Sequence, residues 1–240
     1  GKIVCASTFA MFASGRAFEI IRNSIGYTKA NVKICASHAG ITTGEDGGSH
    51  QTFEDLALMR TIPGMTVVNP CDGVSTAKLL AQLVALEGPA YFRLGRAAVP
   101  MFYPEDAELV LGKGTLLREG TDLTIIATGI MVNEAMIAAE ALKEEGIHAR
   151  VIDMHTLKPI DEEIIIKAAK ETGKIITAEE HSVIGGLGSA VADVVCQHAP
   201  VKMAMVGQQD TFGESGKPEE LKEKYKMTAK DIVEKAKELV

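Results

Sequence analysis

The sequence predicts an α/β protein of two domains, each built on a mostly parallel sheet. Three observations carry the prediction. Short apolar runs alternate with segments of helical periodicity along nearly the whole chain, which is the pattern of βαβ units. The rhythm breaks once, over residues 97–114, where prolines, acids and glycines gather. The apolar run 32–36 also feeds a glycine-rich polar loop, and in parallel sheets such loops form the ligand-binding rim.

In chain order, residues 3–6 read as a strand already under way. Phe12, Ala17, Phe18, Ile21 and Ile25 then recur at helical spacing, and 9–24 is expected to be a helix. A second strand, 32–36, leads into the polar loop. A short helix follows over 53–60, with Thr52 as its expected cap. Pro63-Gly64 marks a turn and 65–69 a strand. Asp72 is the natural cap of a helix reaching Leu86, which Gly88-Pro89 ends. The run 90–94 delivers Arg93 and Arg96 to the end of a fourth strand. The first domain is thus placed at 1–100, a linker at 101–114 and the second domain at 115–240.

The second block repeats the alternation. Strands are expected at 123–128, 148–154, 174–178 and 201–206. Helices are expected at 132–145, closed by Gly146, at 161–172 and at 187–198. The tail 228–240 is amphipathic and capped by Thr228. No internal repeat is evident beyond this shared pattern.

Of the 240 residues, 46% are hydrophobic and 24% charged, as in soluble globular proteins. The net charge of −7 gives nucleic-acid binding no electrostatic support. No apolar run approaches the roughly 20 residues of a membrane helix, and no secretory signal is visible. Cys5, Cys35, Cys71 and Cys196 form no close pair, which argues for reduced thiols, a cytoplasmic location and no zinc site.

The candidate chemistry centres on residues 38–50, where two histidines, two acids and four glycines fall within thirteen positions. A surface loop is the bland reading, and the density of titratable groups at a strand end makes a site the better one. Phe9 and Phe12 share one helix face, either as core or as a wall for a planar ring. Arg93 and Arg96 read either as solvated or ion-paired side chains or as an anion clamp. Gly185-Gly186-Leu187-Gly188 could cradle an anion at a helix N-terminus, but it lacks the dinucleotide spacing, and tight helix packing is favoured. The role of His181 stays open. No nucleophile elbow, P-loop or metalloprotease motif occurs.

Several runs together resemble transketolase. They are Ala6-Ser7-Thr8-Phe9-Ala10-Met11-Phe12 with Arg16-Ala17-Phe18, Ser37-His38-Ala39-Gly40, and Gly44-Glu45-Asp46-Gly47-Gly48-Ser49-His50-Gln51. Glu54-Asp55-Leu56-Ala57, Arg60-Thr61-Ile62-Pro63, Pro70-Cys71-Asp72-Gly73 and Arg93 to Arg96 continue the likeness. In the second block it runs through Leu157-Lys158-Pro159-Ile160-Asp161, Glu180-His181 and Gly185-Gly186-Leu187-Gly188. The resemblance spans essentially the whole chain. It implies two three-layer α/β/α domains: the pyrimidine-binding domain for thiamine diphosphate, incomplete at its start, and the transketolase C-terminal domain.

The resemblance also implies transfer of a two-carbon ketol unit from a ketose phosphate to an aldose phosphate, in the pentose phosphate pathway. Phe12 is expected to stack on the cofactor's aminopyrimidine with Phe9 beside it. His50 is expected near that ring and the reacting carbons, and Asp46 on a substrate hydroxyl. His38 and Arg96 are expected on the sugar phosphate, and Arg93 on no substrate atom. The family's activating glutamate, in a Glu-Gln-Asn motif, and its diphosphate- and Mg2+-binding domain have no counterpart here. The expectation is therefore a truncated subunit of a split enzyme. Its partner would be an N-terminal transketolase subunit carrying the diphosphate domain, in an alpha2beta2 hetero-tetramer.

A deoxyxylulose-phosphate synthase or a 2-oxo acid dehydrogenase beta subunit is a related alternative. The Ser37-His38-Ala39-Gly40 and Gly44-Glu45-Asp46-Gly47 runs argue against the synthase, and the sugar-phosphate histidine and arginine, which the dehydrogenase subunit lacks, argue against the other. A non-catalytic scaffolding subunit is the other alternative, against which stands the joint presence of His38, Asp46, His50 and Arg96.

Overall fold

A computed structural model describes residues 1–240 as two five-stranded sheets with helices on both faces. The first sheet is built from β1 (Val4–Phe9), β2 (Val32–Ser37), β3 (Thr66–Val68) and β4 (Ala90–Arg93), all parallel. Its fifth strand, β8 (Thr156–Lys158), comes from the second block of sequence and pairs antiparallel with β3, giving the order β1-β2-β4-β3-β8. The second sheet has the order β10-β9-β6-β7-β5. There β6 (Leu123–Ala127), β7 (Ala149–Asp153), β9 (Lys174–Ser182) and β10 (Lys202–Gln208) are parallel. The edge strand β5 (Thr115–Arg118) runs antiparallel to β7.

Side chains of successive strand residues point to opposite faces, and two buried layers result. Val68 and Phe92 join Ile125, Val151 and Ile176 in one layer. It also takes Leu79 and Leu83 of α3 (Gly73–Ala85), Ala135 of α4 (Met131–Glu144) and Ile232 of α8 (Ala229–Leu239). Their strand neighbours Val67 and Tyr91 join Ile126, Ile152 and Ile175 in the other layer. That layer includes Leu56 of α2 (Asp55–Thr61), Ile165 of α5 (Glu162–Thr172) and Val191 of α6 (Leu187–His198). Each layer therefore runs across both domains. No helix is long and apolar enough to cross a membrane.

The expected caps at Asp72 and Thr228 form, each as a reciprocal box with the residue three positions on. Asp161 caps α5 one way only, its carboxylate accepting the Ile164 N–H. Three expectations need correction. Phe9 remains in β1, paired in register with Ser37, so the helical region starts only at Ala10. Its turns are wide, π-type over Phe12–Arg16 and Ile21–Tyr27, with only the single turn α1 (Phe18–Ile20) between them. The Ser14 hydroxyl donates to the Ala10 carbonyl at 2.7 Å, competing with the regular backbone ladder. The helix expected at 53–60 begins at Asp55, and Thr52 is buried instead of capping it. Strands β5 and β8, a tight turn over Ile41–Asp46 and the helix α7 (Pro218–Lys224) were not foreseen.

The link between the blocks is docked through Asp72. One of its carboxylate oxygens accepts the Ser75 N–H of α3, and the other accepts the Phe102 and Tyr103 N–H groups at 2.8 and 2.7 Å. Tyr103 in turn donates to buried Asp153 at 2.9 Å. Burial pushes the Asp153 carboxyl up to about 7, although the Tyr103 and Cys71 contacts pull the other way. Burial also pushes His155, two residues on, down to about 4.

The linkage signs of these two groups are opposite. Native Asp153 holds a proton that the unfolded chain releases near about 3.9, so its contribution is full below that pH and is lost as pH rises to about 7. The His155 contribution is present above about 6.5 and is lost as pH falls towards about 4. Asp153→Asn removes the first slope and leaves the second. Urea titrations between pH 4 and 7 should show the variant gaining on the parent as pH rises. A constant difference across that window would refute the assignment.

Candidate functional site at the rim of the first sheet

Parallel pairing brings the C-terminal ends of β1, β2 and β4 to one rim. Phe9 lies opposite Ser37 and Ala36 opposite Arg93. The pairing extends one step further, with Leu94 N–H donating to Ala36 O and Ala39 N–H to Leu94 O. The loops carrying His38 and Arg96 therefore leave the sheet side by side.

Four rings gather there. The imidazole of His38 stacks on Phe9, with centroids 4.0 Å apart and planes 10° apart. Phe12 lies 6.0 Å from Phe9 at a shallow angle. His50 stands edge-on to both, 5.4 Å from Phe12 and 5.9 Å from Phe9. Phe12 keeps 37% of its surface exposed, so it is a wall and not core. His38 adopts φ of +59°, a left-handed conformation that costs a non-glycine residue energy and is characteristic of functional sites. The Thr43 hydroxyl holds it there by donating to the His38 carbonyl at 2.6 Å. Each histidine has its Nδ1 within 2.9 Å of a serine hydroxyl, Ser37 for His38 and Ser49 for His50. That arrangement fixes the rings and leaves each Nε2 for another partner.

Between the histidines the chain makes a tight turn over Ile41–Asp46, with left-handed glycines at 40, 44 and 47. Asp46 ends this turn exposed and has no partner in the ring cluster. Arg96 lies beside it, its guanidinium 3.1 Å from the exposed Glu45 carboxylate and 3.4 Å from the Thr43 carbonyl. Arg96 and Glu45 are both at the solvent edge, where ion pairs exchange readily. Arg93 is different. It is buried and ion-paired with Asp55 at 2.9 Å, and it donates to the Glu180 carbonyl at 2.8 Å. Of the readings open for the two arginines, ion pairing describes Arg93. Burial lowers its proton affinity, but Asp55 and Glu180 more than offset that and raise it.

The glycine run before α6 is already filled from within. The Glu179 carboxylate accepts the Leu187 and Gly188 N–H groups at 2.6 and 2.8 Å. A Cβ at Gly186 would strike that carboxylate and His181, and one at Gly188 would crowd Met205 and Thr177. Tight packing is the correct reading of that motif. His181 is buried between Glu179 and Asp55, with its Nε2 accepting the Ala57 N–H at 3.3 Å.

The second domain grips the polar loop at several points that the sequence did not reveal. Gln51 donates to the carbonyls of Ile41 and Gly44 on its own loop and to Glu214 across the domain boundary, at 2.9 Å. Gly47 and Gly48 lie against Ser215 and Gly213. The residue types of Gln51 and the 213–215 stretch carry no local signal of this docking. Only their pairing in space does.

Fold and rim together define a two-domain α/β protein whose first sheet presents stacked rings, two oriented histidines and a displaceable arginine at one edge. The family model for the transketolase pyrimidine-binding domain matches residues 1–101, and that for the transketolase C-terminal domain matches 112–232. A putative transketolase C-terminal section of Methanocaldococcus jannaschii is 50% identical, across 99% of this chain and 75% of its own length. A 6-deoxy-6-sulfo-D-fructose transketolase subunit of Clostridium sp. (strain MSTE9) is 47% identical, across 100% of this chain and 74% of its own. The solved structure of a split-gene transketolase, an inactive beta4 tetramer, superposes with a TM-score of 0.94 at 53% identity. It is matched over 100% of this chain and 77% of its own. The chain belongs to the transketolase family, as a subunit of the split type.

Proposed function

We propose that this chain is the C-terminal subunit of a thiamine-diphosphate-dependent transketolase that moves a two-carbon ketol unit from a ketose phosphate to an aldose phosphate. In this reading it acts with a partner subunit that carries the diphosphate- and Mg2+-binding domain, in an alpha2beta2 assembly serving the pentose phosphate pathway. The observation that carries the reading is the ring cluster of Phe9, Phe12, His38 and His50 with Arg96 close by on the same rim.

The half-exposed Phe12 face fits the pyrimidine end of thiamine diphosphate, a planar ring that binds by stacking. When bound, that cofactor supplies a carbanion equivalent for breaking and forming the bond to the ketol carbon. The chain's own residues do the rest. Phe9 and Phe12 exclude water from one side of the reacting centre. His50 presents its Nε2 to the substrate oxygens, where it holds or moves a proton. Asp46, at the open end of the turn, accepts from a sugar hydroxyl. His38 and Arg96 take the phosphate, with Arg96 exchanging Glu45 for it.

The deciding experiment mixes the natural subunit with its candidate partner, thiamine diphosphate and Mg2+, and assays ketol transfer. Assembly without transfer to any phosphorylated aldose would refute the reading. Within the active complex, Arg96→Ala is expected to raise KM for phosphorylated donors by a factor worth about 1.5–3 kcal/mol. Equal effects on phosphorylated and unphosphorylated donors would contradict the phosphate role.

A further inference from the structure

The polar loop of the first domain rests on one acid from the second. Glu180, near the end of β9, is buried with only 2% of its surface exposed. Its Oε1 accepts the Thr42 N–H at 2.7 Å, spanning 138 residues of sequence. Gly40, left-handed at φ of +83°, lies directly against the same carboxyl, and a Cβ there would collide with it. The Glu180 backbone is fixed independently, because its carbonyl accepts from Arg93, which is locked to Asp55. The carboxylate is thus mounted on a rigid strand and aimed at the first turn of the loop between His38 and His50.

We infer that Glu180 is a positioning residue for the substrate loop: its carboxylate pins the Thr42 amide beneath Gly40 and so sets where His38 and Asp46 point. The inference rests on the loop being the sugar-phosphate site proposed above. It gives the second domain a direct part in substrate binding without touching substrate. The geometry explains why a side-chain acceptor serves here. The Glu180 carboxyl oxygen replaces the intra-turn partner that a first-turn amide lacks; burial pushes the carboxyl up, while Arg93 and the Thr42 N–H pull the other way. Glycine at position 40 follows from the same contact.

Two readouts test this. Amide exchange at Thr42 in the natural subunit needs no substrate and no assay of activity. Glu180→Ala is expected to speed Thr42 exchange roughly tenfold or more, while the Ile125 amide of β6 stays protected and reports an intact second domain. Glu180→Gln keeps an acceptor oxygen and should recover much of the protection. Should Glu180→Ala fail to fold, Gly40→Ala disturbs the contact from the loop side and should give the same Thr42 signature. Unchanged Thr42 exchange in the folded variants overturns the pin.

In the reconstituted complex, Glu180→Ala should raise KM for a phosphorylated donor roughly tenfold with kcat changed less than about threefold, and Glu180→Gln should restore most of it. Fast Thr42 exchange with an unchanged KM overturns the link from the pin to substrate binding. A wild-type complex that shows no ketol transfer sinks the transketolase reading instead. The exchange result would still decide whether Glu180 holds the loop.

Discussion

His50→Ala in the assembled enzyme is expected to lower kcat/KM for ketol transfer by about a hundredfold or more while leaving the fold intact. A positioned acid or base contributes on that scale, and His50 is positioned from two sides. Ser49 engages its Nδ1, and the near-perpendicular contacts with Phe9 and Phe12 fix the plane of the ring. Little else depends on it. The residue is partly exposed, at the end of a loop held by Gln51 and by backbone bonds to Gly47. Truncation therefore removes a ring from the rim without opening the core. Steady-state kinetics beside a thermal melt separates the two effects. Near-normal turnover, or a melt that collapses along with activity, would remove His50 from the chemistry.

The largest loss of stability is expected at Asp55. Asp55→Ala should reduce the unfolding free energy by about 3–5 kcal/mol, the cost of leaving a buried charge without its partner. One carboxylate oxygen of Asp55 receives both the Tyr91 hydroxyl at 2.8 Å and the Arg93 guanidinium at 2.9 Å, and all three side chains are buried. Burial pushes its carboxyl up, but Arg93 and His181 more than reverse that and hold it below the usual carboxylate range. Removing it strands Arg93 against only the Glu180 carbonyl. Because that bond crosses between domains, the damage reaches their docking. Asp55→Asn keeps an acceptor for Tyr91 and Arg93 and should cost distinctly less. Urea denaturation followed by circular dichroism measures both. A loss below about 1 kcal/mol for the alanine variant would show that the pair adds nothing net.

Local signals made much of this structure legible in the sequence. The cap at Asp72 sits beside the helix it starts, and the bounds of α6 agree with its apolar period and leading glycines. The polar loop announced its place because a strand and a cluster of glycines adjoin in sequence. What escaped was long-range. β8 is three residues, Thr156–Lys158, with no apolar run to mark it, and it exists because β3 offers a free edge. The π-type turns after β1 leave no periodic trace, and a serine bonded to the carbonyl four residues back is too common a feature to announce them. Glu180 and Gln51 look like ordinary surface types. Their place in the site depends on partners more than a hundred residues away.

The pairing of β8 with the first sheet has a consequence for what either block can do alone. The first block expressed without the second would lack the antiparallel neighbour of β3 and the second-domain half of both buried layers. The two domains therefore share one sheet edge and one pair of cores, however separable they look along the sequence.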